Sequence, residues 1–260
     1  MTQNVFWLAG LFVVAALSAA ETKGDVAGVV WATEAGASER LQADVAALRA
    51  KRFMQPLAGY LYSEEVVWNE YRDVGQYKLQ DGRRLTVDLN GLKWEQVNAW
   101  PKGKKLHLCY DESKGATLLD PESKHVLIVR AITKANGQFA HPLDRYLESL
   151  DASSTYDMMS ANHEALRLWK LEIDRAVREI LGYSHLPKDV RAQFIALTKT
   201  RLDYCKQQVD FGGAAIRAEI TGTAAGPMTG TYAERVYRDA YAQLVALAES
   251  YGVFKNPAGK

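Results

Sequence analysis

Apolar residues recur at helical spacing in four stretches of the chain, and in short strand-like runs across a region between them. Residues 38–52 (SERLQADVAALRAKR) place Leu41, Val45 and Leu48 on one face behind Ser38, a pattern for an amphipathic helix acting as a lid or leader to the strand region. From about Glu64 to Ile132 the runs are short and separated by turn residues, as strands require. Tyr77–Gln80 and Arg83–Val87 flank Asp81-Gly82, which predicts a two-residue hairpin whose central positions both need positive φ. Further strands are expected at Leu106–Tyr110, Ala116–Leu119 and Val126–Ile132, with joints at Gly103, Gly115 and Pro121.

Beyond Leu150 the pattern is helical. Ser154 and Asp157 form a capping-box signal ahead of Met159, Leu166, Trp169, Ile173, Val177 and Ile180, and Gly182 is the stop. A second helix starts near Ser184 and Pro187 with the stripe Val190, Phe194, Leu197, Arg201, Tyr204 and Gln208, and Gly212-Gly213 breaks it. Thr231 and Glu234 cap a third, with Val236, Ala240, Leu244 and Leu247 on one face. The expected fold is therefore α+β. A small antiparallel sheet or partly open barrel over residues 61–150 is followed by a three-helix antiparallel bundle over 151–253 and a tail at 254–260. The two parts meet near His141-Pro142-Leu143-Asp144, where Pro142 opens a short helical turn (LDRYLESL).

The N-terminus changes the picture of where this fold works. Val5 to Leu17 is an apolar run without charge, and Ser18-Ala19-Ala20 supplies small residues, so residues 1–20 read as a cleavable secretory signal and 21–60 as the leader. The run is shorter than the roughly 20 residues a membrane span needs. A periplasmic or secreted chain without a stable membrane span is expected. Its formal net charge of +1 gives no electrostatic reason for a nucleic-acid partner.

Candidate chemistry is sparse. Gly212-Gly213 and Gly222 have neither Rossmann nor P-loop spacing, and His107, His125, His141, His163 and His185 are too scattered for a zinc site, so no cofactor and no metal are expected. His107 and Cys109 share a strand face, which is the minimum a thiol nucleophile needs, yet a half-buried strand with a core cysteine has the same sequence. Cys109 and Cys205 either pair as a disulfide in an oxidising compartment or remain two buried thiols. Glu64-Glu65 and Asp111-Glu112 fit solvated strand ends. Aromatics crowd the last helix (Tyr232, Tyr237, Tyr241, Tyr251) and dot the sheet (Trp68, Trp94, Trp100), and any left exposed would be anchors for a partner.

Over roughly residues 153–250 the order of several short runs resembles the LprI-type family of lysozyme inhibitors. These are Ser154-Thr155 to Met159, Trp169–Ile173, Arg201-Leu202-Asp203-Tyr204-Cys205, Phe211-Gly212-Gly213, and Tyr237-Arg238-Asp239-Ala240 to Leu244. Ala161-Asn162-His163 and Ile220–Thr223 stand where family members often carry cysteines, so the family's intradomain disulfides are missing. The resemblance implies an exported binding protein whose partner is a lysozyme or another cell-wall hydrolase. The binding patch would comprise Arg201, Tyr204 and a Gly212-Gly213 turn, unless Tyr204 is a core residue and the glycines cap a helix. Two other classes stay open: a thiol-dependent hydrolase centred on Cys109 and His107, and a non-catalytic structural envelope protein that self-associates through its sheet.

Overall fold

The protein is described by a computed structural model, which covers residues 39–250 apart from Met54, Val74, residues 89–91, Ser184 and His185. The expected signal, most of the leader, Ser38, Tyr251 and the tail lie outside the described residues. The described residues belong to one compact unit spanning Trp31–Lys260.

Six antiparallel strands close into a barrel rather than leaving an open sheet. They are β1 (Tyr62–Asp73), β2 (Gln76–Leu79), β3 (Arg84–Asp88), β4 (Lys105–Asp111), β5 (Gly115–Leu119) and β6 (Val126–Thr133), in the order β1-β2-β3-β6-β5-β4. Closure depends on β1. Its first half pairs with β4, from Tyr62 opposite Tyr110 to Val67 opposite Lys105, and its second half pairs with β2, with register irregularities between Trp68 and Glu70 and between Tyr71 and Asp73. Such irregularities bend a strand, so one strand serves two neighbours and no edge is left open.

Alternation then sends Val66, Trp68, Tyr77, Leu79, Leu85, Leu106, Leu108, Leu118 and Leu127 into a single core. A short helix that the sequence pattern did not predict, α2 (Trp94–Asn98), inserts Val97 into the same core. The hairpin at Asp81-Gly82 forms, but with a three-residue loop. Leu79 N–H donates to the Arg83 carbonyl at 2.8 Å, Gly82 alone has φ of +88°, and the Asp81 carboxylate accepts from the Arg83 backbone N–H instead of needing left-handed backbone itself.

Helix α1 (Glu39–Ala50) buries Leu48 and packs on α4 (Thr155–Gly182), and α3 (Pro142–Glu148) packs on β1, β4 and α4. The Ser154 hydroxyl caps α4 by accepting from Asp157 N–H at 3.0 Å, and α4 ends at Gly182, as expected. Helices α5 (Lys188–Glu219) and α6 (Ala225–Ser250) complete the C-terminal part, which is consistent with a bundle, with α6 packing against both α4 and α5.

Three helical expectations are corrected. Gly212-Gly213 does not break α5, which runs unbroken past it. The glycines instead permit close helix packing: a Cβ at Gly212 would overlap the Tyr232 ring on α6, and one at Gly213 would lie 2.9 Å from the Thr229 methyl. The buried stripe of α5 is also Phe194, Thr198, Leu202 and Cys205, which leaves Leu197 and Tyr204 outside. Apolar side chains occupy two faces of this helix, so spacing alone does not say which one is covered. Finally, α6 starts at Ala225 with Pro227 in its first turn, so Thr231 and Glu234 are interior residues and not a cap; the Thr231 hydroxyl reaches Asn162 on α4.

Candidate functional site

The face of α4 turned to the barrel carries charge. Glu164, Glu172 and Glu179 recur at eight- and seven-residue steps, and each meets arginine across the boundary or beside it. Glu164 accepts from Arg49 of α1 at 2.5 Å and from Arg167, and both arginines also hold Glu112 in the β4–β5 turn, at 2.7 Å and 2.9 Å. Glu172 accepts from Arg175 and from the Tyr110 hydroxyl, and Glu179 pairs with Arg130 of β6. Burial pushes the Glu172 carboxyl above its ordinary range, against the pull of Arg175 and Tyr110. Unpaired charges at this depth would be costly, so these pairs specify how barrel and helices fit.

His141 sits at the centre of the seam. Its Nδ1 caps α3 by accepting from Leu143 N–H at 3.1 Å, which leaves Nε2 as the protonated nitrogen, and Nε2 lies 3.8 Å from Glu172 Oε2. Tyr110, Phe139, Trp169 and Tyr241 surround the ring. Burial, with Arg175 and Arg238 nearby, lowers the imidazole pKa to about 3, so His141 and Glu172 face each other without forming an ion pair.

Beside this seam a cleft of about 1080 Å³ opens between the barrel, α3, α4 and α6. Its floor is apolar, with Leu108 and Ile132 from the barrel and Ala161 and Ala165 from α4, while its walls are charged. On the α6 wall Arg238 clasps Asp144 through two hydrogen bonds of 2.6 Å and 2.8 Å and stacks over Phe139. Neither cleft nor seam was predicted from the sequence. The signal available was the recurrence of Glu164, Glu172 and Glu179 on a helix whose neighbouring positions are apolar.

The residues singled out from the resemblance share one helix, but no turn joins them. Tyr204 is 58% exposed, Arg201 is tied to Gln243 of α6, and Gly212-Gly213 lies within the α5–α6 contact. The exposed neighbours of Tyr204 are Leu197 (62%) and Phe211 (78%), each seven residues away, so the three form a ridge along the outer side of α5.

Cys109 and Cys205 are both free, buried thiols, one on β4 and one on α5. The Cys109 thiol donates weakly to the carbonyl of His107 at 3.6 Å, not to its imidazole. Burial, with a smaller contribution from Asp111, pushes this thiol up to about 12, the reverse of what a nucleophilic cysteine needs. Among the described residues no cluster of His, Cys, Asp and Glu is placed to hold a metal ion, and no helix is long and apolar enough to cross a membrane. Compared with known proteins, the chain matches no family model, no curated protein and no solved structure.

Proposed function

We propose that the chain is an exported envelope protein that binds a protein partner through the outer face of α5, and that the partner is a lysozyme-like cell-wall hydrolase, as the LprI-type resemblance of the helical region implies. The observation that carries this reading is the ridge of Leu197, Tyr204 and Phe211, all more than half exposed on a helix that uses its other face to pack on α6. Large apolar side chains at seven-residue steps are how a helix presents itself to a groove on another protein, and aromatic anchors supply most of the binding energy at such contacts. Arg201 is engaged by Gln243, so the partner meets an apolar ridge flanked by polar side chains and not a free cation.

The test is to immobilise residues 21–260, expose them to envelope extract supplemented with lysozymes, and score retained hydrolase together with residual muramidase activity. Retention with loss of activity is expected, and both should disappear in the variant Leu197→Ser, Tyr204→Ser, Phe211→Ser. Absence of both retention and inhibition with the unsubstituted chain overturns the reading.

A further inference from the structure

The cleft between barrel and helices has a charge balance of its own, separate from the α5 ridge. Four of the five acidic groups lining it are held by arginine. Glu64 and Asp81 both hold Arg83, at 2.5 Å and 2.7 Å, and Glu148 holds Arg145 at 2.8 Å. Asp144 is clasped by Arg238, whereas Glu234 forms no ion pair among the described residues and feels the charges of Arg238 and Arg235 at longer range. Two basic groups lining the same cleft, Lys134 and Arg235, hold no ion pair or hydrogen bond from their side chains among the described residues. Arg235 feels the charge of the adjacent Glu234 without pairing with it.

Lys134 and Arg235 are both exposed, and they belong to different elements of the cleft with fixed backbone. Lys134 opens the tight turn after β6, where its N–H donates to the Gln138 carbonyl at 2.7 Å and its carbonyl accepts from Gly137 N–H at 2.9 Å. Arg235 belongs to the face of α6 that also presents Thr231 and Arg238 to the cleft. The small side chains of Ala161 and Ala165 leave depth between the walls. A volume of about 1080 Å³ suits a small molecule better than a folded partner. Among the described residues the one lining carboxylate outside an ion pair, Glu234, sits within the field of Arg235 and Arg238, and no Phe, Tyr or Trp lines the cleft as a platform for a neutral sugar.

We infer that this cleft binds a small anionic molecule carrying at least two separated carboxylate or phosphate groups, which Lys134 and Arg235 receive from opposite sides. Charge-assisted hydrogen bonds are stronger than neutral ones, and Arg235, exposed like Lys134 at the cleft, offers the planar fork that matches either anion.

The test is calorimetric titration of the full chain with citrate in one arm and inorganic pyrophosphate in the other. Saturable one-to-one binding in at least one arm is expected, and the responding arm distinguishes carboxylate from phosphate. The double variant Lys134→Gln, Arg235→Gln should weaken it by about tenfold or more. Lys105→Gln, which removes a surface lysine outside the cleft, should leave it unchanged. Ala161→Trp, which fills the floor, should abolish binding while circular dichroism reports the native helix content. The α5 ridge variant should bind the anion like the unsubstituted chain, so failure of the partner reading and failure of this one are distinguishable. No saturable binding in either arm, or equal affinity in the double variant, overturns the inference.

Discussion

The Tyr110 hydroxyl, near the end of barrel strand β4, donates a 2.8 Å hydrogen bond to the Glu172 carboxylate in the middle of α4. Both groups are buried, and they join barrel and helices across a separation of 62 residues in the chain. Arg175 completes the arrangement by binding Glu172 and donating to the Glu112 carbonyl at 2.6 Å. Barrel and helices are therefore each other's solvent over this surface, and neither half keeps its buried charges satisfied alone.

Tyr110→Phe removes that donor without opening space. It should destabilise the protein by about 1–3 kcal/mol, the cost of leaving a buried acceptor short of a partner. Urea unfolding followed by tryptophan fluorescence and by far-ultraviolet circular dichroism should give coincident transitions in both proteins, because the barrel and the helices share this interface. Separated transitions would show that they unfold independently.

Stability should fall on acidification through His141. Its pKa is lowered to about 3 in the folded chain against an ordinary 6.5, so below about 6.5 the unfolded chain binds the extra proton and folding loses free energy. The contribution is complete above pH 6.5 and declines toward about 3, with a slope of at most about 1.4 kcal/mol per pH unit. The raised carboxyl of Glu172 acts with the opposite sign, so the clean measurement is a difference. Between pH 7 and pH 5 the unsubstituted chain should lose stability relative to His141→Asn, in which the amide still caps α3. Parallel pH profiles would refute the assignment.

Gly212 and Gly182 should respond in opposite directions to alanine. Gly182→Ala has nothing within 4 Å of the new methyl and should stabilise by up to about 1 kcal/mol through helix propensity. Gly212→Ala puts the methyl into the Tyr232 ring and should destabilise by about 1–3 kcal/mol, with recovery when Tyr232→Ala is added. Thermal unfolding of the four proteins reads both signs.

Neighbouring turns of α5 separate its two faces. Phe194→Ala, at 7% exposure, should cost about 3–5 kcal/mol, whereas Leu197→Ala should stay within about 0.5 kcal/mol. A reversed order would mean that the ridge is core and would remove the basis for a partner on that face.

The two thiols should be silent in the native protein and fully reactive when unfolded. With Cys109 pushed up to about 12 and Cys205 also raised by burial, a colorimetric thiol reagent at pH 8 should react with neither. In denaturant without reductant it should report both. Zero in both states would reveal a disulfide in place of the two free thiols.

Much of the local structure was legible because it depends on neighbours in the chain. The alternating run at Leu106–Tyr110, the apolar run at Val126–Ile132, the Ser154 cap and the Pro142 turn all stand where the sequence places them. The failures share a cause. Strand β1 (YSEEVVWNEYRD) is too polar to announce a long strand, and its pairing with both β2 and β4 becomes visible only when the barrel closes. Gly212-Gly213 looked like a break because glycine weakens a helix locally, while the gain from letting Tyr232 approach comes from another helix.

The sequence by itself determined the α+β order, the strand alternation and most helix boundaries, since these depend on side-chain periodicity and capping within a few residues. Barrel closure, the covered face of α5, the Tyr110–Glu172 seam and the charged cleft were decided only by tertiary structure. Each depends on groups brought together from distant parts of the chain, where burial and pairing outweigh the local preferences that a sequence pattern records.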